Sequence, residues 1–482
     1  MKKNFIDKTF EYFSPKAAEK RYTSRKRIEL IERKFNAASK SGRHKHIYTS
    51  NASADQEIMP ALSTLRNRAR DLVRNHPHAT SVVNEMVNNT VGIGVRTRFI
   101  HNSENKKKRI NSAWKNWAET TQCDFEGRKK LRGLLRVAAH TFFESGEVLI
   151  RFRSSGEIIP FSLQVLEGDF IVDTLQGDNI KDGIERDNQG RVIAYHLYSN
   201  HPGDYQGLNN TVRVPVEDIC HLYDEKRAGQ SRGIPILTPI VNKLRDLDEL
   251  EEAEIVKQKI TSCFTAFVHD MEPGDSLMDE DGYEIGEKVS PGSIEFLPPG
   301  KTVSFGNPAT KEGYSEFKTK GDHAVAAGTG VPYEAMTGDY SRTNFSSGKM
   351  GHNKFHKGIR AIQKLIFEDL LLDRVAERFL SLLPFYGLNS QGVTYKHTPP
   401  KVEMIDPVKE TNALNSMIRN GLTSWSNAVE TLGEDPEELI NEIKIDRDRF
   451  NKLQLILDSD SNTTTINGQK HSLDGSNDSE TA

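Results

Sequence analysis

A serine flanked by glycines, Gly229-Gln230-Ser231-Arg232-Gly233, has the spacing of a hydrolase nucleophile elbow. Such an elbow needs a strand running directly into the serine turn, and an aspartate and a histidine further along the fold to relay its proton. Here the extended run DICHLY ending at Tyr223 is separated from Ser231 by the charged DEKRA, so a catalytic Ser231 is disfavoured. The second arrangement with chemical content is acidic. Asp246, Asp248, Glu249, Glu251, Glu252 and Glu254 crowd one stretch, and a nuclease could use such acids near Glu249. A run of acids is more often the wet face of a helix. Both enzyme readings predict turnover by an isolated subunit, lost on Ser231→Ala or Glu249→Gln.

The remaining chemical signals are weaker. His44 and His46 sit two apart without further ligands and make poor coordination, so no metal is expected. Cys123, Cys220 and Cys263 are far apart with no CxxC pair, as befits free thiols in a reducing cytoplasm. GIGV at Gly92–Val95 lacks the rest of a dinucleotide fingerprint, and Gly348-Lys349 lacks the earlier glycine of a phosphate-binding loop. Neither a cofactor nor nucleotide hydrolysis is expected.

The elements around these residues are legible from period. The acids lie on a helix over about 237–262, with Ile240, Val241, Leu244, Leu247, Leu250, Val256 and Ile260 forming an apolar stripe. A short helix over Tyr314–Gly328 is stopped by Gly330 and Pro332. A polar tongue follows, VPYEAMTGDYSRTNFSSGKM at Val331–Met350. Beyond it Phe355, Ile359, Ile362, Leu365, Ile366, Leu370, Val375, Phe379 and Leu382 recur mostly at steps of three or four, predicting a long helix from near Ser347 to Pro384. In the tongue Arg342 is the lone cation among Thr337, Gly338, Asp339, Tyr340, Ser341, Thr343 and Asn344. Two readings of it stand level: brief phosphate contacts, or an ion pair with Asp339 that shapes the loop.

Elsewhere the pattern is mixed. Helices are expected on either side of Pro77, over SENKKKRINSAWKNWAET, and over Lys129–Phe143. Trp114 and Trp117 share one helical face and suit core packing better than base stacking. Strands are expected at Val148–Phe152, Phe161–Val165, Phe170–Val172 and Arg191–Tyr198, the last entered from a DNQG turn. Short β-prone runs with glycine and proline fill Phe264–Pro308, and three helical segments follow over 407–420, 424–432 and 435–443. The basic first fifty residues read as an arm, and the polar tail from Asp458 is expected to be disordered.

With 482 residues and a formal charge of −3, the chain can hold several compact units and carries no net cationic excess for gripping nucleic acid. Near neutrality still allows a polyanion to pass. No window approaches the ~18 apolar residues of a membrane span, and no secretory signal opens the chain.

The string VPYEAMTGDYS followed by NFSSGKM resembles the hallmark segment of lambda-like bacteriophage portal proteins. So do GQSRGIPILTPIVNKLRDLDELEEAEIVKQKITSCFTAFV at Gly229–Val268, DPVKETNALNSMIRNGLTSWSNAVETLGEDPEELINE at Asp406–Glu442, and RNRARDLVRNHPHATSVVNEMVNNTVGIGV at Arg66–Val95. The likeness covers about residues 60 to 450. It implies an α+β portal fold: a basic arm (1–55), a mixed α/β wing (56–235), a stem helix (236–263), a small β-rich clip (264–312), a second stem helix (313–330), a channel loop (331–346), a long spine helix (347–384), a helical crown or C-terminal region (385–457) and the tail (458–482).

It also implies a non-enzymatic ring, usually twelve-fold, at a capsid vertex of the virion, assembled in the host cytoplasm. Double-stranded DNA would pass through its channel. The terminase large subunit would dock on the clip, with capsid and scaffold proteins around the wing and a head-tail adaptor later. In a ring the acids of the stem helix would repeat around one axis and repel DNA from the wall.

Overall fold

Pro77 separates two helices as its position predicts. Helix α1 spans Ala54–Asn75 and α2 spans Pro77–Thr90, with proline in the first turn of α2, where its missing N–H is not needed. His76 caps α2, its Nδ1 accepting the His78 N–H at 3.2 Å. Helix α1 begins before Pro60, where the sequence pattern would start it, so Pro60 lies inside the helix. A computed structural model describes residues 50–154, 159–204, 210–262, 266–270, 301–305 and 313–455, with Lys16, Thr23 and Ser24. The expected arm with His44 and His46, Cys263, most of the expected clip and the tail lie outside the described residues. The chain divides into two compact units, residues 1–57 and 58–482.

The second unit continues with β1 (Arg96–Ile100), α3 (Glu104–Ala118), α4 (Leu131–Ser145), β2 (Glu147–Arg153) and β3 (Ser162–Glu167). Strands β4 (Ile180–Lys181), β5 (Ile184–Arg186), β6 (Val192–Tyr198), β7 (Thr211–Pro215) and β8 (Ile219–Tyr223) follow. Two antiparallel sheets result, with strand orders β3-β2-β8 and β4-β5-β6-β7. The expected strand at Phe170–Val172 does not form. Gly168–Phe170 is a 3-10 turn and Ile171 makes a single bridge to Leu197. The turn delivers the Gly168 carbonyl and the Asp169 carboxylate to buried arginines, which a ladder strand could not do.

Helix α5 (Val241–Ser262) seats only its first half. Leu244 and Leu247 are buried, whereas Ile255 and Val256 stand half-exposed beyond them, so the apolar stripe read from the sequence is not covered along its length. Strands β9 (Ala266–Asp270) and β10 (Lys301–Phe305) pair antiparallel. Helix α6 (Tyr314–Thr329) then packs on α5 through glycines: a Cβ at Gly321 would lie 2.6 Å from the Leu247 side chain.

After a short helix α7 (Tyr333–Thr337) the chain enters α8 (Phe345–Ile362), a π-helical run Gln363–Leu372, and α9 (Asp373–Leu382). This is the expected long helix, with a wider central segment that the 3.6 period does not announce. The wide turns bury Phe367, Leu371 and Leu372, and the Gln363 amide satisfies the carbonyls of Asn89 and Thr90 at 3.0 Å each, two orphan acceptors at the end of α2.

Strand β11 (Thr394–Thr398) pairs with β1. Helices α10 (Pro407–Arg419), α11 (Trp425–Thr431) and α12 (Pro436–Lys452) close the described chain, the last running nine residues beyond the expected end at Ile443. Arg96 and Arg98 of β1 reach Glu434 and Asp435 at 2.7 and 3.0 Å, and Lys107 reaches Glu437 at 2.7 Å.

The main core gathers Phe99, Trp114, Trp117, Phe143, Phe161, Phe367 and Phe379 with the aliphatic faces of α2 and α4. Cys123 and Cys220 lie within it, and burial raises both thiols to about 12. Neither will form appreciable thiolate near neutrality. In native protein at pH 8, Ellman's reagent is therefore expected to leave Cys123 and Cys220 untouched for hours and to react with them on addition of guanidinium. Prompt labelling of either in the native state would contradict the burial.

Candidate functional site

The tongue is built from its ends inward. Gly330, in the left-handed region at φ +79°, closes α6 with its N–H on the Ala326 carbonyl at 2.9 Å, and Pro332 starts α7. Val331 and Met336 are buried in the main core and pin the base. At Gly338 the backbone turns left-handed again at φ +73°, which a residue with a Cβ would resist. So the first part of the expected loop is a helical turn, and only Gly338–Asn344 is irregular.

Most of the eight residues singled out from the sequence shape that irregular stretch. The Asp339 carboxylate accepts the Ser341 hydroxyl at 2.6 Å, the Ser341 N–H at 3.0 Å and the Tyr333 hydroxyl at 3.3 Å. The Ser341 bonds, above all, hold its pKa below the ordinary value. Thr337 accepts the Asp339 N–H at 3.2 Å; Thr343 donates to Glu334 at 2.7 Å; Asn344 caps α8 by accepting the Ser347 N–H at 2.8 Å. Two side chains are left pointing out of this framework. Tyr340 is 65% exposed, and among the described residues Arg342 makes no ion pair. Arg342 makes no direct ion pair with Asp339, whose carboxylate is held by Ser341 and Tyr333, but its charge is close enough to help lower the Asp339 pKa.

The acidic run on α5 is largely paired. Asp248 meets His76 at 3.1 Å, Glu249 meets Arg245 at 3.1 Å, Glu254 meets Lys257 at 3.3 Å, and Glu251 pairs with Lys318 of α6. Asp246 and Glu252 are exposed and carry no ion pair among the described residues. No pair of these carboxylates is arranged with a third ligand. The one described group with metal-ligand character is elsewhere, Glu167, Asp169 and His201. The Arg70 guanidinium already bridges both of its carboxylates, at 2.7 and 2.5 Å, so it is an ion-pair cluster.

Ser231 is buried at 5% exposure, and the GQSRG stretch turns out to close a buried charge site. Glu147, at the start of β2, is wholly buried. Arg232 binds it through Nε at 3.0 Å and Nη2 at 2.7 Å, His221 through Nε2 at 3.0 Å, the Gly233 N–H at 2.8 Å, and Arg66 from α1. Burial alone would raise this carboxyl; Arg232, Arg66 and His221 outweigh it and hold it well below the usual range. Burial pushes the His221 pKa down in turn. Both glycines of the elbow pattern are explained without catalysis: a Cβ on Gly233 would fall 2.0 Å from the Gly146 carbonyl oxygen, and Gly229 has φ +82°. The sequence signal for Glu147 was only a lone acid entering an apolar strand.

With this geometry in view, the comparisons are consistent. The family described as "Phage portal protein, lambda family" matches residues 40–363. The chain is similar to the "Probable portal protein" of Halomonas phage phiHAP-1, 26% identical over 435 residues and covering 84% of each chain. It is also similar to "Portal protein B" of Escherichia phage lambda, 21% identical over 450 residues and covering 80% of this chain and 84% of that one. Among solved structures, the neck of an empty GTA particle computed with C6 symmetry shares the fold at TM-score 0.50 and 14% identity, over 78% of this chain and 94% of that one. This protein belongs to the lambda family of phage portal proteins and is a structural component, not an enzyme.

Proposed function

We propose that copies of this chain close into a ring, twelve-fold as the family resemblance implies, whose axis is a channel for double-stranded DNA during packaging and ejection. The observation that carries this reading is the tongue itself. Its interior polar groups are satisfied by the loop and its base, the base is anchored in the core, and Tyr340 and Arg342 are left exposed. A loop so braced resists a moving cargo without binding it tightly. The exposed Asp246 and Glu252 of α5, repeated around an axis, would add a weak negative field that keeps phosphates off the wall. Each interface would be heterologous, one side of a subunit meeting the other side of the next.

The ring would sit in the virion at a capsid vertex after assembly in the host cytoplasm. The β9–β10 region would meet the terminase large subunit, which supplies the energy, and later a head-tail adaptor, with capsid and scaffold proteins around the sheets. Among the described residues no helix is long and apolar enough to cross a membrane.

Electron microscopy of the purified chain tests the reading. Views down the axis are expected to show closed rings with a central hole. A compact monomer under every assembly condition would end it.

A further inference from the structure

The charge of the chain is balanced overall, 65 lysines and arginines against 68 acids, yet one segment is wholly one-sided. From Tyr340 to Phe367 there are six lysines and arginines and no aspartate or glutamate. Two of the six are neutralised: Lys349 pairs with Glu410 at 2.9 Å, and Lys364 with Glu368 and Asp369 at 3.0 and 3.2 Å. Arg342 in the tongue makes no direct ion pair among the described residues. The other three, Lys354, Lys357 and Arg360, are exposed on α8 and make no ion pair or hydrogen bond among the described residues. Steps of three keep them on one side of the helix, about 4.5 Å apart along its axis.

We propose that Lys354, Lys357 and Arg360 form a phosphate-contact stripe for double-stranded DNA on the exposed side of α8. This rests on the portal reading for its cargo. Lysine and arginine on an acid-free face contact phosphates without reading sequence, which suits a cargo of any sequence. Three contacts per subunit would guide the duplex.

The test compares the wild-type assembly with K354A/K357A/R360A. All three positions are exposed in a helix, so folding is expected to be unchanged, as a thermal melt will check. Binding of a fluorescein-labelled DNA duplex is followed by anisotropy across a salt series. Each lost phosphate contact lowers the slope of log K against log salt by about 0.9, so the variant is expected to bind about tenfold or more weakly at low salt with a shallower slope by roughly 2 to 3. K354R/K357R/R360K is expected to bind like wild type. Variant rings that image normally and bind DNA with unchanged affinity and slope would overturn the stripe alone. A variant that stays monomeric while wild type forms rings would overturn it in favour of a subunit contact. Absence of rings from the wild type would overturn the portal reading, and this one with it.

Discussion

Glu147→Ala is expected to cost about 3–5 kcal/mol of stability, because it strands two buried arginines without a counter-charge. Arg232 is 1% exposed and Arg66 3% exposed, so neither can turn to water when the carboxylate is removed. The loss also spreads. Through one side chain Glu147 joins α1, β2, β8, and the turn that carries Gly233, and Arg232 continues to the Gly168 carbonyl at 2.8 Å. Urea unfolding followed by circular dichroism measures the effect. A loss below about 1 kcal/mol would mean that water reaches the site and screens the arginines.

Replacing charge pairs together is a different matter, since a buried ion pair exchanged for apolar groups of like volume can be nearly neutral. Glu147→Leu with Arg232→Met should therefore recover part of the loss. The pH dependence has one sign. Glu147 is held below its ordinary 4.5, so its contribution is complete above that value and fades as pH falls through the depressed folded value. His221 is pushed below 6.5 and is favoured neutral, so its contribution is complete above 6.5 and is likewise lost on acidification. Both terms destabilise in acid, and Glu147→Gln should flatten the part below pH 4.5.

The contrast between the tongue and this charge site explains what the sequence could disclose. Gly330 and Pro332 are local signals that act through their own backbone conformation, so the end of α6 was readable to within a residue, whereas the short α7 closed by Gly338 was not read. The period of α8 and α9 was readable for the same reason. The π run at Gln363–Leu372 was not, because it answers to the end of α2, far away in sequence, which needs the Gln363 amide. The partners of Glu147 lie 81 to 86 residues distant along the chain, or 74 for His221, and no spacing rule links them. GQSRG shows the converse hazard. Gly233 follows from a tight crossing with Gly146 and Gly229 from a left-handed turn, so the pattern imitated an elbow for backbone reasons. The acids of α5 were visible as residues, but their partners on α6 and at His76 were not, so the field expected of six free acids is reduced.

Trp117→Ala is expected to be as damaging as loss of Glu147, about 3–5 kcal/mol, by a different mechanism. The indole is fully buried, stacks on Phe161 at 4.5 Å, and sits 5.1 Å from Trp114, which meets Phe379 of α9 edge-on at 5.1 Å. Removing it opens a cavity where α3, the segment before β3 and α9 converge, and close-packed rings there cannot collapse inward freely. Its Nε1–H also donates to the Phe161 carbonyl at 3.0 Å. Trp117→Phe keeps much of the volume but orphans that buried acceptor, so it should fall between wild type and alanine, at about 1–3 kcal/mol. The set decides between packing and base stacking for this pair of tryptophans. If the ring served nucleic acid, Trp117→Phe would weaken DNA binding and leave the unfolding midpoint in place. The buried geometry requires the reverse. Quenching adds an independent reading of the same point: of the three tryptophans, acrylamide should reach Trp425, which is 38% exposed, well before Trp114 or Trp117.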